Sequence, residues 1–312
     1  MQGASDNWEE PVRLNNHRPV SRTTLHGWAS ILFSLPFLAA GIGITLVGTG
    51  RIAIPAKDIH APLWVIGGVG IVFFLAGVFL LLHGFGGVQR NRRLKKGKYM
   101  APRRPWMWDY AWEPLGISEN KRKEVINAFV ATVVYILFLT PFNWWAFFSG
   151  DITPFWLKGM VIVFDWVIVF IAYQFVRKLS QYLKYGDSRL RFKKFPFILG
   201  DKMVVSLVGA PTQFEVMTMN LRFIEEAYET SGSGRNRSRN VVCYQIYGEE
   251  KVLRSYDAGK SKIVMEWQLP KDPDFATQLS VRPAKFWELE IQAETPGVDY
   301  ECRFLLPVYA KP

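Results

Sequence analysis

The sequence predicts an α-helical membrane bundle of four transmembrane helices joined to an all-β cytoplasmic domain. The first observation is that four apolar runs lie within the first 180 residues, at 26–48, 63–84, 125–148 and 155–176. A helix of about twenty residues rises about 30 Å, which matches the hydrocarbon core of a bilayer. The second observation is that the remaining residues alternate apolar and polar types in short stretches between turn-forming residues. We therefore divide the chain into an N-terminal segment (1–25), a helical region (26–180) with a basic loop (85–124), and a β domain (187–312).

Positive charge is distributed unevenly among the predicted loops. The loop between the second and third runs carries eleven Lys and Arg residues, and the exit from the fourth run carries seven more. The loop after the first run has only Arg51 and Lys57, and residues 149–154 include neither Lys nor Arg. Because cytoplasmic loops are enriched in Lys and Arg, this asymmetry predicts that both termini and the β domain lie in the cytoplasm. Most of the net charge of +11 lies next to the predicted spans, so it indicates membrane topology and not a surface that binds nucleic acid.

One acidic residue interrupts the fourth apolar run near its centre. An ionised Asp165 at that depth costs roughly 3 kcal/mol even on the insertion scale that penalises charge least. A neutral Asp165 that is hydrogen-bonded to a neighbour such as Tyr135 would join helices as a structural contact. The alternative is a proton or cation site in a small transporter or channel. We favour the structural interpretation, because one acidic residue in four spans is a poor basis for transport.

The basic loop contains a Trp-rich segment, residues 105–114, that predicts an anchor at the membrane surface. Its proposed anchoring residues are Trp106, Trp108, Trp112, Arg103 and Arg104. Indole rings favour the headgroup level, and arginines neutralise anionic lipid headgroups. Alternatively, Asp109 and Glu113, which lie four residues apart, bind Arg103 or Arg104, or a basic patch on the β domain.

Alternation in the C-terminal part predicts seven or eight short strands. We place them at 202–208, 214–223, 241–246, 251–255, 262–269, 286–293 and 300–307, separated by turns rich in Gly, Pro and Asp. Short strands with no helical period between them favour a β-sandwich. Trp267 and Trp287 are expected to face its core.

The loop at residues 230–240 joins two of these strands and carries three arginines, Arg235, Arg237 and Arg239. A solvated hairpin loop accounts for this composition. The alternative is a contact with an acidic partner or with anionic lipid, since the membrane lies close to this domain in the predicted topology.

No pattern in the sequence indicates an enzyme, a metal site or a cofactor. The four His residues fall in different segments, and Cys243 and Cys302 form no CxxC pair. In a cytoplasmic domain both cysteines are expected to be buried free thiols. Phosphate-binding loops, nucleophile elbows and HExxH motifs do not occur. We therefore expect a non-enzymatic protein without a cofactor.

Several short motifs carry a resemblance to a group of proteins. They are residues 225–228 (EEAY), 267–270 (WQLP), 286–290 (FWELE), 296–300 (PGVDY), 306–309 (LPVY) and 105–110 (PWMWDY). They resemble segments of uncharacterised bacterial membrane proteins in which a few spans precede an arrestin-like or immunoglobulin-like sandwich. The resemblance implies a multi-pass protein of the bacterial inner membrane, and sandwiches of this type generally bind proteins. We expect a binding or scaffolding module with a protein partner on the sandwich.

Overall fold

The computed structural model describes residues 11–15, 17, 19–20, 27–53, 62–148, 155–211, 214–231, 237–254 and 262–312. The chain divides into two compact units. The helical unit comprises Leu25–Arg92 and Lys123–Leu179. The β unit comprises Met1–Thr24, Arg93–Arg122 and Ser180–Pro312.

Each of the four predicted apolar runs forms a helix. The helices are α1 (Trp28–Gly48), α2 (Leu63–Met100), α3 (Lys121–Phe148) and α4 (Phe155–Tyr185). All four are long and apolar enough to cross a membrane. Helices α2 and α4 continue beyond the apolar runs through residues that are mostly polar, so hydropathy alone could not mark their ends. Helix α4 ends at Tyr185, immediately before Gly186 with its positive φ of 64°.

Glycines at every seventh position bring α2 close to α1. A Cβ added at Gly70 would lie 2.4 Å from the backbone nitrogen of Thr45, and one at Gly77 would lie 2.8 Å from Cγ of Leu38. The same addition at Gly84 would lie 2.7 Å from Cγ1 of Ile31. A spacing of seven residues keeps small side chains on one helix face, which allows two backbones to approach closely.

The β unit consists of two larger sheets and a two-stranded pair. The strands are β1 (Val12–Arg13), β2 (Gly116–Ser118), β3 (Arg189–Phe192), β4 (Phe197–Ile198), β5 (Lys202–Val208), β6 (Val216–Ser231), β7 (Ser238–Arg254), β8 (Lys262–Gln268), β9 (Lys285–Ala293), β10 (Tyr300–Leu306) and β11 (Val308–Tyr309). The five-stranded sheet has the order β1-β7-β6-β9-β10, and the four-stranded sheet has the order β2-β3-β5-β8. Strands β4 and β11 pair in parallel.

Side chains from both larger sheets form one hydrophobic core. Alternate residues of β5, Met203, Val205 and Leu207, are buried in this core, as strict period-2 alternation requires. Trp267 and Trp287 are 1% and 0% exposed, which confirms that both face the core. Cys243 and Cys302 are free thiols and buried, also as predicted.

Strands β6 and β7 form one long hairpin rather than three shorter strands. The predicted strand at 241–246 and residues 251–254 of the one predicted at 251–255 belong to β7; residue 255 lies outside the described residues. Gly248 and two glutamates interrupt the apolar alternation between them, which is why the sequence suggested a break. Pairing with β6 nevertheless continues across this stretch, with a bulge where the register shifts between Phe223 and Ile224.

Candidate functional site

Part of the edge of β7 has no second strand next to it among the described residues. Strand β1 pairs with β7 only where Val12 faces Gln245 and Arg13 faces Tyr244. Beyond that point, residues 246–254 have β6 on one side and no other strand among the described residues. Alternate N–H and C=O groups of an edge strand point away from the sheet and can pair with another strand.

Lys251 places this edge next to the edge of the other sheet. Its ammonium group donates a hydrogen bond to the backbone carbonyl of Glu266 in β8 and lies 5.2 Å from the ring centroid of Trp267. Lys251 also lies 3.4 Å from the carboxylate of Glu249. The nearby Val252 is 55% exposed. Charged residues on an edge strand disfavour nonspecific pairing with other strands.

A buried polar cluster lies on the face of the five-stranded sheet that is opposite the core. We define it as His17, Arg222, Glu288, Glu290 and Arg303. The Glu290 carboxylate forms ion pairs with both arginines, the one to Arg303 at 2.9 Å. The imidazole Nε2 of His17 lies 3.3 Å from a carboxylate oxygen of Glu288, and both side chains are less than a tenth exposed. His17 also meets the ring of Phe286 edge to face at 6.2 Å.

Burial sets the protonation of the His17–Glu288 pair. Burial raises the pKa of Glu288 to about 7, although the charge of Arg303 opposes this shift. Burial, together with Arg303 and Arg222, lowers the pKa of His17 below 6.5. Near pH 7 the imidazole of His17 is therefore uncharged, and the carboxyl group of Glu288 that it faces is protonated in part of the molecules.

We expect Glu288 to make the stability of the β unit depend on pH. The folded protein binds the proton of Glu288 more tightly than the unfolded chain does. The contribution of protonated Glu288 to the free energy of unfolding is therefore complete below pH 4.5 and is lost as the pH rises to about 7. The free energy of unfolding of Glu288→Gln, relative to wild type, should therefore increase with pH in this window, by at most about 1.4 kcal/mol per pH unit. Urea unfolding at a series of pH values measures this difference. If the free energy of unfolding changed with pH in the same way for wild type and Glu288→Gln, the raised pKa of Glu288 would be contradicted.

Asp109 connects the Trp-rich segment to the C-terminal part of the β unit. This carboxylate is 2% exposed and accepts hydrogen bonds from the backbone N–H of Leu279 at 2.8 Å and of Ser280 at 2.6 Å. The hydroxyl of Tyr309 donates a third hydrogen bond to Asp109 at 3.2 Å. The sequence suggested a basic partner for Asp109. The partners are instead the backbone N–H groups of Leu279 and Ser280, which carry positive partial charge and donate hydrogen bonds to the carboxylate.

The three indole rings of this segment have partners inside the β unit. Trp112 donates a hydrogen bond to the hydroxyl of Tyr309 at 2.8 Å, and Trp106 lies 6.0 Å from the same ring. Trp108 donates to the carbonyl of Ala101 at 3.0 Å. The rings are half-buried, whereas Arg103 and Arg104 are exposed. Membrane anchoring by the segment stays a prediction.

The arginine-rich hairpin loop lies largely outside the described residues. Arg235 is not among them, and neither is the side chain of Arg239, although its backbone belongs to β7. Arg237 is exposed. A contact of this loop with an acidic partner stays a prediction.

Asp165 has a partner on the neighbouring helix. The side-chain amide of Asn143 in α3 donates a hydrogen bond to one carboxylate oxygen of Asp165 in α4 at 2.8 Å. Tyr135 instead contacts Phe138, at 6.5 Å between ring centroids. Among the described residues, no Lys or Arg forms an ion pair with Asp165, and no donor reaches its second oxygen. The hydrogen bond between the two helices fits the structural interpretation.

The described residues contain no group of three or more His, Cys, Asp and Glu side chains that could hold a metal ion.

In broad class, the chain combines four apolar helices with a multi-sheet β region.

Comparison with known proteins finds only distant similarity, and that is to solved structures. No protein-family model matches the chain, and no curated protein matches it. The crystal structure of Spo0M, a sporulation control protein from Bacillus subtilis, matches with 10% identity and a TM-score of 0.25. The match covers 40% of this chain and 49% of that chain, so this chain spans about half the length of the matched structure.

Proposed function

We propose that this protein is a multi-pass protein of the bacterial inner membrane that presents an arrestin-like or immunoglobulin-like β-sandwich in the cytoplasm as a non-enzymatic binding module. The four apolar helices support insertion. The enrichment of Lys and Arg between the second and third helices supports an orientation with both termini in the cytoplasm. The same basic residues favour a bilayer with anionic headgroups. The proposal requires no cofactor, metal ion or nucleic acid.

The edge of β7 at residues 246–254, which has no second strand among the described residues, is the observation that supports the binding function. An extended segment of a protein partner adds to such an edge as a further strand, with main-chain hydrogen bonds supplying affinity. Alternate side chains supply specificity, because successive residues of a strand point to opposite faces. Lys251 and Glu249 lie on this edge, so the preferred segment carries an acidic and a basic residue at alternate positions to face them.

Site-specific photo-crosslinking in native membranes tests the proposed function. A photoreactive residue at Val252, which is 55% exposed on β7, should give a discrete crosslinked product. The matched control is Val281, which is 52% exposed but lies outside the strands. Mass spectrometry should place the crosslinked residue of the partner within a segment of alternating charge. Equal crosslinking from both positions, or a product at neither, would contradict the proposal.

A further inference from the structure

The stretch of β7 at residues 246–254 is complementary to a second copy of itself. It has β6 on one side and, among the described residues, no strand on the other. The pairing of β1 with Tyr244 and Gln245 limits the stretch at one end, and β7 ends at Arg254. The residue at the centre of the stretch that an added strand can use is therefore Glu250.

Two antiparallel copies of this stretch can pair about a two-fold axis at Glu250. Residues at equal distances from Glu250 then face each other, so Glu249 of each copy faces Lys251 of the other. In the same register Tyr247 faces Leu253, which brings two apolar side chains together. Moving the axis by one residue would place either Glu249 or Lys251 opposite its own copy, where like charges repel. The register centred on Glu250 therefore gives both charges an opposite partner.

The opposite charges lie on the less exposed face of β7. Glu249 and Lys251 are half-buried, whereas Glu250 and Val252 on the other face are exposed. The Lys251 ammonium donates to the backbone carbonyl of Glu266 and has further N–H groups for a second carboxylate. Glu250 does face its own copy, but solvent screens charges on the exposed face more than it screens half-buried ones. Attraction between the Glu249–Lys251 pairs therefore outweighs this repulsion.

We propose that the partner of the β7 edge is a second copy of this chain, held by an antiparallel β7–β7 pair centred on Glu250, an inference that rests on the proposed function. The segment expected on this edge carries an acidic and a basic residue at alternate positions, and Glu249 and Lys251 themselves have this pattern. Charged side chains on an edge strand oppose pairing with most other strands. A second copy avoids this penalty, because each of the two charges meets its opposite.

Cysteine crosslinking of the full chain in native membranes tests this dimer. A residue on the two-fold axis faces itself, so Glu250→Cys should form a disulfide-linked dimer on oxidation with copper phenanthroline. Paired Cα atoms in an antiparallel ladder lie about 4.5–5.5 Å apart, within reach of a disulfide. The matched control is Val281→Cys, which is 52% exposed but outside the strands and should give at most a trace of dimer. The native thiols, Cys243 and Cys302, are buried and should not react.

Charge reversal in the Glu250→Cys background distinguishes self-pairing from the binding of another protein. Glu249→Lys places lysine opposite Lys251 at both symmetric positions and should slow formation of the dimer at least about tenfold. Adding Lys251→Glu returns an opposite charge to both positions and should restore the rate of the wild-type pairing. Another protein bound at this edge would keep its own charges, so the double reversal would not restore its binding.

Photo-crosslinking from Val252 separates failure of the dimer from failure of the proposed function. The expected product has twice the mass of the chain, with Val252 joined close to Gly248 of the second copy. A product with a different protein would support the proposed function and overturn the dimer, and no product would contradict both. A dimer yield from Glu250→Cys no higher than that of the control, or a double reversal that does not restore the dimer, would also overturn it.

Discussion

Replacement of Trp287 by alanine should lower the free energy of unfolding of the β unit by about 3–5 kcal/mol. The side chain is completely buried, and its ring lies 5.4 Å from both Phe223 and Tyr247. Its indole N–H donates to the carbonyl of Phe275 at 2.6 Å. The substitution therefore leaves a cavity and also removes the donor to a buried carbonyl group. Domains are stable by only about 5–15 kcal/mol, so this loss is a large fraction of the total.

Urea unfolding monitored by circular dichroism measures this loss. Trp287→Phe retains a ring without the N–H group, and its cost should fall between those of the wild type and the alanine variant. Val264→Ala is the matched surface control, since Val264 is 59% exposed on β8. A cost for Trp287→Ala that is no larger than that of the surface control would contradict the assigned core.

Replacement of Asp109 by alanine should cost about 3 kcal/mol or more, because three donors lose one shared acceptor. The backbone N–H groups of Leu279 and Ser280 and the hydroxyl of Tyr309 all donate to this buried carboxylate. An unsatisfied buried donor carries its full desolvation penalty. Asp109→Asn keeps one acceptor oxygen, so its cost should be smaller.

The control for Asp109 is Asp274→Ala, because the Asp274 side chain is exposed. Hydrogen–deuterium exchange on the same variants localises the effect: the amides of Leu279 and Ser280 should exchange faster in Asp109→Ala and remain protected in Asp274→Ala. Equal stability and equal exchange in the two variants would show that the Trp-rich segment does not stabilise the β unit.

Elements with a strong period were predictable from the sequence. The observed bounds of β5, Lys202–Val208, are those predicted, because every second residue along it, Met203, Val205 and Leu207, is apolar and buried. The apolar parts of all four helices were predictable because hydrophobic side chains must be continuous to match a bilayer. Short strands such as β1 and β2, with two and three residues, have no period to recognise.

Long-range polar contacts were the part that the sequence could not supply. The bond between Asp109 and Leu279 joins residues 170 positions apart, and nothing local identifies either one as the partner of the other. Asn143 is uncharged and lies near the end of α3, so nothing in the sequence marks it as the donor to Asp165. The unpaired edge that β7 presents among the described residues follows from strand order, which hydrophobic alternation does not determine.

Hydrogen–deuterium exchange of β7 tests the central claim most directly. A synthetic peptide that covers the partner segment crosslinked at Val252 is added to the full chain, and exchange is followed for residues 246–254. The account predicts that alternate amides in this stretch become protected, since only every second N–H of an edge strand points toward an added strand. The amides of β10, the opposite edge strand, should not change. Protection of β10 instead of β7, or no protection of β7 at saturating peptide, would contradict the account.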